Sequence, residues 1–395
     1  MISSEFIAKI EGHGSLTVDW SNNSVKLNIH EGERLFEGIL VGRTAEESHW
    51  ITPRICGVCP IAHNLASLAA IEDAYGIKIS ETSRLLRRLM MMGQMIQSHV
   101  LHLFFLVLPD YVGIDRGTEL AQKDPKSFSK ALALKELGDE IAYVVAGRNV
   151  HPTTTAVGGF HKIPSKEELK GLLKKLEETE AEAKWAEKLF GGLDYPALKI
   201  DLELVAQSGE KIISNKKAGV AINDYKQNIE EELRDYSTAK FGKFQGKEML
   251  VGALARLALG DNKKYKIDFQ NPFHNNMAQA IEIALFHKEA EEIIEKLLKM
   301  EMDANIVQPS ATPSLKGIGA VEAPRGGLYH EIHLDEKGII TYANIITPTV
   351  QNLTSMEKSA QTLLEQHKNK EQKEKERLLN MLIRSYDPCI TCSVH

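Results

Sequence analysis

The chain has 395 residues, 43% of them hydrophobic, and a formal charge of −6 at pH 7. That content suffices for a sizeable core, and an acidic balance spread along the chain excludes the basic footprint of a nucleic-acid binder. No basic region followed by an apolar run opens the sequence, as a signal peptide would require, and the most apolar stretch, Val100 to Val112, is broken by His102, Pro109 and Asp110 and is too short to cross a bilayer, so we expect a soluble protein with no membrane span.

In chain order, F-I-A-K-I-E-G-H-G-S-L-T-V-D-W alternates as a strand, with Glu11 and His13 at a glycine-marked bend, and V-K-L-N-I is its hairpin partner. The run F-E-G-I-L-V-G-R places Glu37 and Arg43 just ahead of R-I-C-G-V-C-P-I-A-H, which holds Cys56, Cys59 and His63. A lone charged residue is by default a solvated surface group, but the approach to a cysteine pair makes these two candidates. From Pro60, Leu65, Leu68, Ala69, Ile71 and Ala74 recur at helical spacing, so Cys59 and His63 stand at the mouth of a helix whose positive end favours thiolate. A longer helix is expected from about Glu81 to Leu108; its His99 and His102 have no carboxylate at helical spacing and read as core or supporting groups before they read as ligands.

The loop G-R-N-V-H-P…G-G-F at 147–160 carries His151 and lacks the G-K-[ST] of a phosphate loop. Ser165 and Glu168 form a capping box for an amphipathic helix to about Leu189. Residues 196–248 alternate short strand-like runs with charged turns and read as an insertion or lid, followed by helices at about 247–259 and 275–300. Near the end, alternating runs around D-E-K-G at 335–338 predict a hairpin, preceded by Pro324, Arg325 and two glycines that let something approach closely. The charged run at 367–377 reads as a solvated helix face, and Asp387 must leave helical geometry ahead of Pro388. Helices dominate, giving an α+β class that is mainly helical with small antiparallel sheets.

The chain closes on D-P-C-I-T-C-S-V-H, with Cys389, Cys392 and His395. All four cysteines therefore form two matched Cys-x-x-Cys pairs at opposite ends, which points to one shared site. A disulfide framework is unneeded in a chain with this much core, and thioredoxin-like redox chemistry needs only one pair. Metal ligation is left: structural zinc by spacing alone, nickel or iron by the softness of thiolate.

The two motifs R-x-C-G-x-C-x-x-x-H and D-P-C-x-x-C-x-x-H, with E-G-H at 11–13, F-E-x-x-L-x-G-R at 36–43 and A-P-R-G near 325, resemble the catalytic large subunit of a nickel–iron hydrogenase over essentially the full length. The resemblance implies a single domain over 1–395 whose ends converge on a buried metal site. It implies nickel bound by Cys56, Cys59, Cys389 and Cys392, with Cys59 and Cys392 bridging to an iron that carries carbon monoxide and cyanide. Cys389 would take the proton when H2 is split, and Glu11 would pass it on. Arg325 would overhang the metals with Asp387 and Pro324 nearby, and His63 would hydrogen-bond a bridging sulfur. Glu37, His395 and the carbonyl of Ile345 would hold magnesium. With every cysteine in use, electrons would leave through an iron–sulfur small subunit, with further electron-transfer subunits beyond it. Ser98 stands where respiratory members place an aspartate, and R-S-Y-D-P-C is closer to the cytoplasmic, bidirectional or cofactor-coupled branch. A membrane-anchored, ferredoxin-linked hydrogenase of complex I type would share both motifs, a quinone-binding complex I subunit would lack the cysteines, and a zinc-stabilised scaffold would have no chemistry.

Overall fold

The computed structural model describes residues 2–260, 265–308 and 314–395. Strands β1 (Ile2–Phe6), β2 (Gly14–Asp19) and β3 (Ser24–Ile29) form an antiparallel sheet in that order. Leu16, Val18, Val25, Leu27 and Ile29 are buried, as strand alternation requires for a sheet with one covered face. Helix α1 (Pro60–Ala74) starts at Cys59, with Pro60 in the first turn, where a missing N–H costs nothing.

Helix α2 runs from Glu81 to Val112, capped by Ser80, whose hydroxyl accepts the Ser83 N–H. Its segment Leu101–Val107 is a π-helix, and this widened turn carries the helix past Pro109, where a regular turn would clash. The helix runs past its expected end near Leu108 to Val112, so the apolar stretch is not too short: the helix is 32 residues with a mean hydropathy of 1.4 in its apolar window, long and apolar enough to cross a membrane by length and composition, but 78% of that window is buried within the protein, as in a core helix. Past the widened turn, Asp110 accepts from Lys9 Nζ and Arg384 Nε, each at 2.6 Å, tying the N-terminal segment to the C-terminal helix.

Helix α3 (Pro125–Ala146) packs along α2; it is absent from the sequence-based expectations, although Asp124 caps it and Pro125 opens it. Helix α4 (Lys166–Gly191) begins with the expected capping box, Ser165 and Glu168 each bonding the other's backbone N–H. Within 196–248, Glu203–Ser208, Lys211–Ser214 and Val220–Ala221 pair as strands, and β4 (Ile229–Arg234) and β5 (Ser237–Phe244) make a separate hairpin. The helix expected at 247–259 is shorter, α5 (Ala253–Leu259), because Met249–Leu250 joins Glu203–Ser208 as a short parallel strand. Helix α6 (Asn275–Lys299) lies between α4 and α2.

Strands β6 (Lys316–Ala323), β7 (Gly326–Leu334) and β8 (Ile340–Ile346) are antiparallel, the last two joined by the predicted turn. A Cβ at Gly317 or Gly319 would lie 2.0 Å from the carbonyl oxygens of Ala70 and Ala66, so only glycine lets β6 rest on α1. That contact fixes β6, and Arg325 just beyond it, relative to the helix that begins at Cys59. Helices α7 (Pro348–Gln366) and α8 (Gln372–Ser385) follow, and the charged run at 367–377 spans the turn between them and the start of α8. The hairpin of β4 and β5 packs on α7 and β3. Two large apolar clusters meet at the C-terminal segment: Cys389 and Cys392 belong to the one built on α1 to α4, while Ile390 and Val394 belong to the one built on the first sheet, α7 and α8.

Candidate metal centre

The two ends of the chain meet. The Ile390 N–H donates to the Glu11 carbonyl at 3.0 Å and the Arg34 N–H to the Val394 carbonyl at 3.3 Å. The Arg34 guanidinium then joins both cysteine segments, donating to the Ile55 carbonyl at 2.7 Å and also to the Thr391 carbonyl. All four cysteines are buried and free, with their sulfurs within 4.8 Å of one another. Cys56 Sγ lies 3.2 Å from Cys389 Sγ, and Cys59 Sγ lies 3.9 Å from Cys392 Sγ. Hydrogen bonds from Cys389, Cys392 and Cys59 hold the Cys56 thiol well below its usual range, while those from Cys389 and Cys56 push Cys392 up. Four crowded sulfurs share negative charge poorly among themselves, and a soft or borderline divalent cation resolves this by ionising all of them. The donor set therefore fits nickel, iron or zinc.

His63 is fully buried with Nε2 3.2 Å from Cys392 Sγ and Nδ1 3.2 Å from His330 Nε2. Burial pushes His63 down to about 3 and His330 well below its ordinary value, so both rings are neutral. With one proton each, the arrangement that satisfies both contacts has His330 donating to His63 and His63 donating to the sulfur. His330 is not singled out by the sequence, because its place in an ordinary strand pattern gives no cue.

Arg325 occupies the charged side of the site. Its Nη2 and Nε donate to Asp387, to the carboxylate at 2.8 Å and the carbonyl at 2.7 Å, and its Nη1 donates to Ser98 Oγ at 3.3 Å. Burial works against this charge, but Asp387 and then the thiols Cys389, Cys59 and Cys56 raise the guanidinium further above its ordinary value. Asp387 has left helical geometry as Pro388 demands, and sits at φ 53°, an uncommon backbone state for a non-glycine residue. Its other carboxylate oxygen accepts from Gln279 Nε2 at 3.0 Å. His102 is 2.5 Å from Gln279 Oε1 and 2.7 Å from the Arg384 carbonyl, and His99 is 2.9 Å from Glu282, so both histidines are supports, partnered from α6 and α8. Pro324 is buried beside Arg325, with its carbonyl accepting from Arg256 at 2.8 Å.

The Glu11 carboxylate accepts the Thr391 N–H at 3.1 Å and the Thr391 hydroxyl as well. That hydroxyl is 4.0 Å from Cys389 Sγ, so Thr391 stands between the thiol and the carboxylate. At the tail, Glu37, Ile345 and His395 come together, with Glu37 Oε1 accepting the Ile345 N–H at 2.7 Å and lying 3.8 Å from His395 Nε2. Burial opposes ionisation of Glu37, but His395 and the Ile345 N–H hold its carboxyl below the usual range. Two neighbours come from the segment 196–248: Glu231, whose buried Oε1 has no hydrogen-bond partner among the described residues, and Lys240, 3.3 Å from Glu231 Oε2. Arg43, by contrast, lies on the surface and pairs with Glu47 at 3.7 Å.

The family model for nickel-dependent hydrogenases matches residues 34–136 and 272–395, which include both cysteine pairs. The chain belongs to the nickel-dependent hydrogenase family. It is 33% identical to the alpha chain of sulfhydrogenase 1 from Pyrococcus furiosus, over 100% of this chain and 97% of that protein. It is 30% identical to the corresponding chain of the vhc F420-non-reducing hydrogenase from Methanococcus voltae, over 100% and 94% of the two chains. The solved structure of an NAD+-reducing [NiFe]-hydrogenase in its H2-reduced state superimposes with a TM-score of 0.88 at 24% identity, covering 100% of this chain and 99% of that one, which shows the shared fold. A large subunit of this family works beside a smaller partner, and nickel and iron are the metals that its four-cysteine site serves.

Proposed function

We propose that this hydrogenase subunit catalyses the reversible heterolytic cleavage of H2 and hands the electrons to an iron–sulfur subunit. The observation that carries this reading is the gathering of four buried thiols, from opposite ends of the chain, beside the buried Arg325–Asp387 pair. In this reading Cys56, Cys59, Cys389 and Cys392 would hold nickel, Cys59 and Cys392 would also serve an iron with carbon monoxide and two cyanides, and Glu37, the Ile345 carbonyl and His395 would hold magnesium. The chemistry such a nickel–iron group would supply between these residues is Lewis acidity toward H2 and a redox couple for its two electrons.

The rest is done by the chain's own groups. Cys389 Sγ takes the proton, the Thr391 hydroxyl stands next to it, and Glu11 receives the proton and carries it toward solvent. His63, neutral and donating, stabilises negative charge on Cys392 Sγ. Arg325 places a fixed positive charge in a pocket that is poorly screened because it is buried, and Asp387 orients it. With Ser98 and not an aspartate at its tip, Arg325 has one carboxylate partner among the described residues, Asp387, so its charge is less neutralised. Because all four cysteines are engaged here, the iron–sulfur relay and further electron-transfer subunits lie on partner chains. We assign the protein to the cytoplasm, on its likeness to the NAD-reducing and F420-non-reducing relatives, and treat 1–395 as one domain with 196–248 as an insertion.

Metal analysis of the purified complex tests this. Nickel and iron at one each per chain, with infrared bands of bound cyanide and carbon monoxide, are expected; one zinc and no nickel would make the site a structural staple and end the enzymatic reading.

A further inference from the structure

Arg325 is held at its tip by Asp387 and Ser98, and the backbone leading into it is held by a second arginine. Arg256, on α5, donates Nε and Nη2 to the two carboxylate oxygens of Glu282, each at 2.7 Å. Its Nη1 donates to Glu322 Oε2 at 2.7 Å and to the Ala323 carbonyl at 2.9 Å, and its Nη2 donates a second time, to the Pro324 carbonyl at 2.8 Å. A guanidinium has five N–H donors in a rigid planar fork, so every donor is engaged. Two of them reach the carbonyls of the two residues directly before Arg325. The head of α5 also touches Arg325: Gly252 has φ 109°, and a Cβ there would lie 3.0 Å from the Arg325 carbonyl oxygen.

The fork cannot swing. Glu282 is buried on α6 and its Oε2 is also 2.9 Å from His99 Nε2, on α2. His99 directly follows Ser98, which takes the tip of Arg325. The backbone leading into Arg325 and the tip of its side chain are therefore both referred to the same turn of α2.

We propose that Arg256 is a positioning residue for the hydrogenase reaction: it fixes the Ala323 and Pro324 carbonyls so that Arg325 is presented toward the thiols at the angle where Asp387 clamps it. The inference rests on the proposed role of Arg325. The competing account is that Arg256 only neutralises Glu282 and Glu322, and the two separate on the difference between charge and shape. A lysine keeps the charge but not the fork.

The test is R256K in the assembled holoenzyme, alone and combined with R325K, reading nickel per chain, the nickel EPR spectrum, and kcat and KM for H2 uptake. R256K is expected to load nickel fully yet lose about tenfold to a hundredfold in kcat, the scale of a small misplacement of a catalytic group. Its KM should stay unchanged, and its EPR signal should move in the same sense as that of R325K. In the R325K background, R256K should cost less than about a further twofold, because it acts through the residue already altered. Parental kcat in R256K, or a full multiplicative loss on top of R325K, overturns the proposal. Should R256K not take up nickel, Glu322→Ala is carried through the same cycle, since it frees Arg256 on one side while Glu282 stays paired, and the same non-additivity is required. An unmutated complex without nickel or H2 uptake would defeat the hydrogenase reading itself, whereas an active parent with additive variants defeats only the role of Arg256.

Discussion

One Cys-x-x-Cys spacing is built twice in this chain, and the two copies are held by different means. Cys59 caps a helix of 15 residues that is buried nearly all round. Cys389 opens a helix of four residues, Ile390–Ser393, far too short to be stable alone. Its place is given by other parts of the chain: the Thr349 hydroxyl accepts the Cys389 N–H at 3.0 Å, Glu11 takes the next two amides, Arg34 takes the Thr391 carbonyl, and His63 meets Cys392. The first copy rides on a long helix packed into the core, whose own turns carry Cys59. The second can exist only in the finished fold, and it is also the one that carries the proposed proton route.

The largest expected effects fall on that second copy. Cys389→Ala should abolish H2 uptake, and Glu11→Gln should keep the metals but slow H/D exchange by about 10²- to 10⁴-fold, the usual contribution of a positioned acid or base. Parental exchange in the glutamine variant would remove Glu11 from the route. A smaller effect is expected from Arg34→Met. Losing a charged hydrogen bond of about 1.5–3 kcal/mol should raise amide exchange of residues 390–395 about tenfold to a hundredfold while leaving α1 unchanged. An equal rise in both segments would mean that the copies are held alike.

The smallest effect belongs to the first copy. His49 is buried in the helix Ala45–Ile51, its carbonyl accepting from Asn64 Nδ2 on α1 at 2.9 Å, and burial pushes it from 6.5 down to about 4. Between those values the unfolded chain binds a proton that the folded chain refuses, so stability falls as pH drops through this window. His49→Gln should flatten that fall, read as the urea midpoint at about pH 7 and about pH 5. An unchanged difference would show that the ring is not the group responsible.

Much of the site was legible because its groups sit in short motifs. Cys56, Cys59, His63, Cys389, Cys392 and Arg325 announced themselves by spacing and by neighbouring glycines or prolines, and Asp387 by the proline after it. Arg34, His330 and Arg256 did not, because each makes its contacts across a long sequence separation from a position that looks ordinary locally; Thr391 stands inside the second motif, but its contact with Glu11 is 380 residues away in the chain. For the same reason the partners of His99 and His102 were invisible: they come from α6 and α8 and not from the histidines' own helix. The fold is legible at Ser165, where a full capping box precedes an amphipathic run, and not at Asp124 and Pro125, where a cap without that box opens a helix of weaker amphipathic pattern. A proline and an aspartate in Val100–Val112 suggested an interruption, and the chain instead widened one turn and went on.

That widened turn sets the phase of everything after it. One residue in a regular helix is worth about 100° of rotation, so deleting a single residue between Leu101 and Val107 would swing Asp110 round the cylinder and away from Lys9 and Arg384. That clasp is one of the ties between the segment leading to Glu11 and the helix leading to Asp387, beside the Arg384 bond to the Ala8 carbonyl and the Ile390 bond to the Glu11 carbonyl, so a lesion touching no sulfur would loosen the join between the two ends of the chain.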